Sequence, residues 1–244
     1  MKNSLPLYKT YRQRLSTSEL FGGLPIKVLD GMLTHFRFET WNKGTHHDSQ
    51  LATGRFYILL EGRLEISKIN PVTGKELTLA ILSQGDVYDV LSLMDGKVHN
   101  VTPIALDDVK LFSAPIGEVR EWLTKHPEFN KNFMPYLSKR IRAKEALTAD
   151  LGLYDTPTRL ARLVMRHASE EQHSKDNSGS ADIDITLLHD FTNEALAKMI
   201  SSARQVVNHH LQAMKKEGIL YFKDHHLLVK DLEKLKKQTQ QSLL

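Results

Sequence analysis

The segment Phe191–Leu220, FTNEALAKMISSARQVVNHHLQAMKKEGIL, constrains this chain more than any other stretch. Its spacing predicts two short helices separated by a polar turn and followed by a strand. Thr192 is placed to N-cap the first helix, and Glu194 suits the positive end of its dipole. Ala195, Leu196, Met199 and Ile200 recur at helical spacing and form an inner face. Ser201 and Ser202 break the run. The second helix is expected to turn Ala203, Val206, Val207, His210, Leu211 and Met214 inward, leaving Arg204, Gln205, Asn208, His209 and Gln212 on the opposite face. Gly218 has the place of a C′ residue. Ile219–Phe222 and Leu227–Lys230 then alternate about the polar turn Lys223–His226, which predicts a two-stranded wing.

Such a helix can lie in the DNA major groove. Arg pairs bidentately with guanine, and Asn or Gln can pair so with adenine. Lys198, Lys215 and Lys216 are placed to meet phosphates, which position a protein without reading sequence. From Phe191 to Lys230 there are six basic residues (Lys198, Arg204, Lys215, Lys216, Lys223, Lys230) against three acids (Glu194, Glu217, Asp224), the sign a phosphate partner requires. The plain alternative is an αα-hairpin with a solvated polar face.

The chain has 244 residues, room for two compact domains, with 41% hydrophobic and 25% charged residues. A net charge of +4 permits nucleic-acid binding without requiring it. The absence of cysteine excludes disulfides, thiolate metal sites and cysteine nucleophiles. Met1–Glu19 is polar and interrupted, unlike a signal peptide, and no apolar run reaches membrane-spanning length. A soluble, cytoplasmic protein with no membrane partner is expected.

Residues 1–18 are expected to form a partly ordered basic arm, and Glu19 to about Phe36 a helix. Between Phe38 and Ala114, short alternating runs such as Arg55–Leu60, Arg63–Ser67 and Glu76–Leu82 are divided by turn residues, the pattern of a β-barrel or jelly roll. From Ile116 the period becomes helical. Phe133, Leu137, Ile141, Lys144, Leu147/Thr148 and Leu151 mark one stripe of a long helix, a candidate homodimer interface, unless it packs on its own barrel. Gly152–Asp155 interrupts this helix. Thr156 then N-caps another, with Pro157 at N1. Ser169–Asp182 is a polar loop and Ile183–Thr186 a strand. The fold class is therefore α+β. An N-terminal β-roll occupies 19–115, a dimerisation helix region 116–151, and a C-terminal winged helix-turn-helix domain 152–235.

That order resembles the cyclic-AMP receptor/FNR (Crp/Fnr) family of bacterial transcription regulators. Phe56–Ile66 resembles the family's strand–acid–Gly–strand turn, and Thr73–Asp86 the run into its phosphate-binding cassette. Leu151–Arg162 resembles its hinge and first DNA-domain helix, with Asp155 at the hinge aspartate. Ser202–His209 is similar to its recognition-helix pattern, which adds Ser202 to the candidate DNA contacts. The resemblance implies a homodimer on a palindromic duplex, with RNA polymerase as a further partner.

The departures lie in the expected effector pocket, Gly85, Tyr88, Asp89, Val90, His99 and Asn100. Members that bind cyclic AMP carry Gly-Glu for the ribose and Arg-Ser or Arg-Thr for the cyclic phosphate. Here Asp89-Val90 and, after a one-residue gap, His99-Asn100 stand in those places, with no Arg nearby in sequence. A neutral imidazole cannot offer the bidentate fork of Arg. Gln205 stands where the family often has Glu, and Ser201 where the turn often has Gly. A response to cyclic AMP is therefore not expected. No cofactor is expected either; a gas-sensing haem ligated by His99 or Met94 is one alternative, and a ligand-independent regulator another. A metal-dependent cupin-like enzyme is the outside reading. His46-His47 is suggestive of it, but no His-x-His with a distant Glu and His accompanies the pair. No catalytic residue and no metal ligand is assigned.

Overall fold

The computed structural model describes residues 6–47, 54–174 and 182–240. In chain order it holds α1 (Pro6–Ser16), α2 (Ile26–Leu33), β1 (Arg37–Trp41), β2 (Arg55–Glu61), β3 (Leu64–Ile69), β4 (Glu76–Leu82), β5 (Val87–Tyr88) and α3 (Val90–Asp95). There follow β6 (Thr102–Ala105), β7 (Val109–Pro115), α4 (Ile116–Lys125), α5 (Pro127–Leu153) and α6 (Thr156–Ser174). The last part is β8 (Ile183–Asp184), a 3₁₀ turn (Thr186–Leu188), α7 (Asn193–Met199), α8 (Arg204–Lys216), β9 (Leu220–Lys223), β10 (His226–Val229) and α9 (Leu232–Gln238). The chain divides into two compact units. One is Met1–Pro71 with Leu79–Ala143; the other is Val72–Thr78 with Lys144–Leu244.

In the first unit, two antiparallel sheets of order β1-β7-β2-β5 and β4-β3-β6 enclose a core of Trp41, Tyr57, Leu59, Leu64, Ile66, Leu82, Tyr88 and Leu111. Alternate residues Phe56, Ile58 and Leu60 of β2 face the other way, into a second core with α1, α2, α4 and the start of α5. Strand β2 is thus apolar on both sides because it is covered on both sides. Gly62 turns β2 into β3 with φ +83°; a Cβ there would lie 2.8 Å from the Asp108 carbonyl oxygen, so neither the angle nor the space admits another residue. Arg63 clamps that corner through two bonds to Asp107, of 2.7 and 2.8 Å.

Two N-terminal expectations are corrected. The supposed arm is helical over Pro6–Ser16 and seats Tyr11 and Leu15 in the core, burials that stabilise by about 1.5–3 kcal/mol each. The helix expected from Glu19 to Phe36 is confined to Ile26–Leu33, because Gly23, at φ +72°, and Pro25 end the preceding turn. Long helix α5 runs one residue past Gly152 and ends at Leu153, so the expected interruption falls at Tyr154-Asp155, before α6 begins at Thr156. Its apolar stripe changes role along its length. Phe133 and Tyr136 are buried in their own unit, whereas Met134 and Ile141 are 48% and 52% exposed.

In the second unit, α6 carries Leu160, Ala161, Val164 and Ala168 fully buried. Its cap is Asp155, whose Oδ1 accepts from the Thr158 N–H at 3.0 Å, and not Thr156 as expected. Buried Asp150 near the end of α5 accepts from Arg162 at 2.5 Å and Arg166 at 2.6 Å, while the Arg162 guanidinium lies 4.3 Å from the centre of the Tyr154 ring. The polar loop expected at Ser169–Asp182 begins later, since α6 continues to Ser174, and residues 175–181 lie outside the described residues. A three-stranded sheet of order β8-β10-β9 completes the unit, with a shorter β8 than the sequence suggested.

Candidate nucleic-acid interface and barrel interior

Helix α7 begins as its sequence dictates: the Thr192 hydroxyl accepts from the Ala195 N–H at 3.1 Å. Leu196, Ala197, Met199 and Ile200 are buried. Ser201 is left-handed at φ +51°, which for a residue with a Cβ costs of order 1 kcal/mol. Its neighbour Ser202 donates its N–H to the Ala197 carbonyl at 2.9 Å, closing the turn. Arg159 of α6 braces the same turn, donating to the Ile200 carbonyl at 2.9 Å. Helix α8 follows and ends in paired bonds from Gly218 N–H to Lys215 O and from Ile219 N–H to Met214 O, with Gly218 at φ +69°.

Val207, Leu211 and Met214 hold α8 to its unit. Arg204, Gln205, Asn208, His209, Gln212, Lys215 and Lys216 are exposed, and Ser202 and Lys198 are partly so. Two positions differ from the expected inner face: Ala203 and Val206 are exposed, so each residue of the run Ala203–Val206 presents surface to solvent. The start of a helix is where packing is least dense, and the helical period alone cannot show how far that end projects. His210 is half-buried behind this surface and its pKa is lowered, chiefly by burial and secondarily by His209, with Asp155 opposing. The Asn208 side chain is not free, since its Oδ1 accepts from Asn193 Nδ2 at 2.9 Å. Lys198 pairs with Glu76, the first residue of β4, a strand whose residues 76–78 belong to this unit and 79–82 to the first. The wing turn is Asp224-His225, with φ +49° and +65°, the left-handed pair that a two-residue hairpin turn requires. Beside it His226 bonds Asp184 at 3.0 Å and packs on His189, with ring centres 4.1 Å apart.

Of the candidate effector residues, the structure brings Asp89 and His99 together. Asp89 is buried and left-handed at φ +71°, accepts from Ser92 Oγ at 2.6 Å, and has His99 Nδ1 at 3.7 Å. Tyr88 is buried against Tyr57, with ring centres 5.8 Å apart. Burial raises both phenols, Tyr57 to about 12, with the charge of Glu39 adding to its shift. Val90 is half-buried at the start of α3, Asn100 is exposed, and Gly85 turns the chain at φ +87° beside Ser18. Met94 is 46% exposed. The sequence showed no Arg beside this segment; the fold brings one from α4. Arg120 donates to the Ser92 and Leu93 carbonyls, both at 2.8 Å, and so caps α3. His47 stacks on Trp41 with ring centres 3.6 Å apart. Burial lowers its pKa, and its Nε2 has no partner. Among the described residues no group of three or more His, Asp or Glu could hold a metal, and no helix is long and apolar enough to cross a membrane.

Residues 158–238 match the Crp-like helix-turn-helix domain, and residues 46–126 match the cyclic nucleotide-binding domain. The chain is a transcription regulator of the Crp/Fnr family. It is 26% identical over 181 residues to the CRP-like cAMP-activated global transcriptional regulator of Mycobacterium tuberculosis (strain CDC 1551 / Oshkosh), covering 74% of this chain and 78% of that one. It is 29% identical over 168 residues to the global nitrogen regulator of Nostoc sp. (strain PCC 7120), covering 68% and 72%. A solved structure of a CooA mutant from Carboxydothermus hydrogenoformans superposes with a TM-score of 0.72 over 86% of this chain and 90% of that chain, at 24% identity, and so speaks for the fold. These relatives are transcription regulators, and regulators of this helix-turn-helix class bind DNA and act as dimers.

Proposed function

We propose that this Crp/Fnr regulator binds a palindromic duplex as a homodimer, each protomer placing the start of α8 in a major groove. The observation that carries this reading is the first turn of α8, which presents Ala203, Arg204, Gln205 and Val206 together to solvent on a helix that ends in Lys215 and Lys216 and leads into a wing. Arg204, Gln205, His209 and Gln212 are the base-reading candidates. Lys215 and Lys216, in the last turn, meet phosphates, as do Ser202 and Lys198, the latter exchanging Glu76 for DNA. Met134 and Ile141 of α5 are the apolar exposure that a second copy covers. In this reading residues 19–115 sense, 116–151 dimerise and 152–235 bind DNA in the cytoplasm, where RNA polymerase is the further partner.

The effector is inferred not to be a cyclic nucleotide. Where the family's ligand motif sets Gly-Glu and an Arg, this chain has Asp89 and His99, and the buried Asp89 carboxylate repels a phosphate. The division of roles on α8 is tested by mutation. Arg204→Ala is expected to cost about 1–3 kcal/mol on the selected site and to relax preference at one base pair. Lys215→Ala should weaken all sequences alike and flatten the salt dependence by about one phosphate contact. Equal loss on selected and random DNA for Arg204→Ala would overturn the assignment.

A further inference from the structure

We propose that Val206 reads the 5-methyl group of a thymine, as an apolar member of an otherwise polar base-reading surface. The inference rests on α8 entering the major groove and names one contact made there. Val206 and Val207 are neighbours with opposite fates: Val207 is fully buried, and Val206 is 39% exposed. Among the described residues from 156 to 240, Val206 and Phe222 are the large apolar side chains left exposed, one on α8 and one on the wing strand β9. A β-branched residue on a helix loses side-chain freedom, and Val206, with 39% of its surface open, returns less to the core than fully buried Val207.

The partner follows from the chemistry of the groove. Base edges there present hydrogen-bond donors and acceptors, and one apolar group, the thymine methyl. Val206 lies within the exposed run Ala203–Val206, flanked by Gln205 in sequence and by exposed His209 one turn on. Asn208 is partly committed, because Asn193 donates to its Oδ1 and takes one of the two acceptor sites of that oxygen. Apolar contact at Val206 adds discrimination that the hydrogen-bonding side chains around it do not give, since none of them reads a methyl group.

The experiment uses the full-length protein and a half-site selected from random DNA. Each thymine is replaced in turn by deoxyuridine, which removes the methyl and leaves the hydrogen-bonding edge unchanged. One replacement is expected to weaken the wild type about fourfold, the worth of one buried methyl group. Val206→Ala should bind the thymine and deoxyuridine duplexes equally while keeping the wild-type melting temperature. If no replacement weakens the wild type, or if Val206→Ala retains the same penalty, the inference is wrong. A wild type that selects no sequence at all refutes the groove reading instead. Selection that is relaxed by Arg204→Ala but indifferent to deoxyuridine refutes the Val206 contact alone.

Discussion

Asp150 should be the most consequential single carboxylate of the second unit. It lies near the C-terminal end of α5, where a negative charge opposes the helix dipole. Its side chain is 5% exposed and is held by Arg162 at 2.5 Å and Arg166 at 2.6 Å, one turn apart on α6. Asp150→Ala removes both charge-assisted bonds. Stranding a fully buried partner costs about 3–5 kcal/mol, but the two guanidiniums keep 31% and 29% exposure and can turn to water. The expected loss is therefore about 2–3 kcal/mol, or roughly 10–20 °C of melting temperature for a unit of this size. Both tryptophans, Trp41 and Trp122, lie in the first unit, so their fluorescence transition should move little. Far-ultraviolet circular dichroism and amide exchange along α6 should carry the effect. Asp150→Asn should cost nearly as much, because its amide faces a guanidinium with a donor. A loss below about 0.5 kcal/mol, or one that vanishes in 0.5 M salt as an exposed pair's would, refutes the buried lock.

Cyclic AMP and cyclic GMP should show no micromolar binding by titration calorimetry, since an unpaired anion beside Asp89 forfeits several kcal/mol of hydration; a micromolar dissociation constant for either contradicts this. The pKa of His47 is lowered in the fold, so its contribution to stability is complete above its unfolded value of about 6.5 and is lost as pH falls below that through the folded value. Melting temperature should drop between pH 7 and pH 5. His47→Phe, which keeps the stack on Trp41, should flatten the drop, and an unchanged profile would exonerate His47. Removing the turn brace with Arg159→Ala should lower specific DNA affinity more than it lowers the melting temperature of the first unit, measured by gel shift and fluorescence.

The elements that could be read from sequence are those whose cause is local. Thr192 caps α7 through its own hydroxyl, Gly218 supplies a left-handed residue after α8, and the apolar period of α8 places Val207, Leu211 and Met214 inside. What escaped depends on distant partners. Tyr11 and Leu15 are a sparse pair in a polar stretch, and only the sheet they meet makes α1 a core helix. Arg120, Arg159 and Asn193 act on residues 27, 41 and 15 positions away, with no sign in their neighbourhoods. The exposure of Val206 depends on how far the end of α8 projects, which a 100° periodicity does not encode. Asp155 and Thr156 are adjacent residues that both cap well, so local sequence leaves the start of α6 open by one residue, and the Asp155 contact with the Thr158 N–H decides between them.

Hydroxyl-radical footprinting on DNA selected by the full-length protein, with the mass of the complex measured by sedimentation, tests the central claim most directly. The expected result is a two-fold symmetric footprint of about two helical turns, its half-sites about one turn apart, carried by two protomers. A single protomer on an asymmetric site, or a protein that remains monomeric at micromolar concentration with or without DNA, would contradict it.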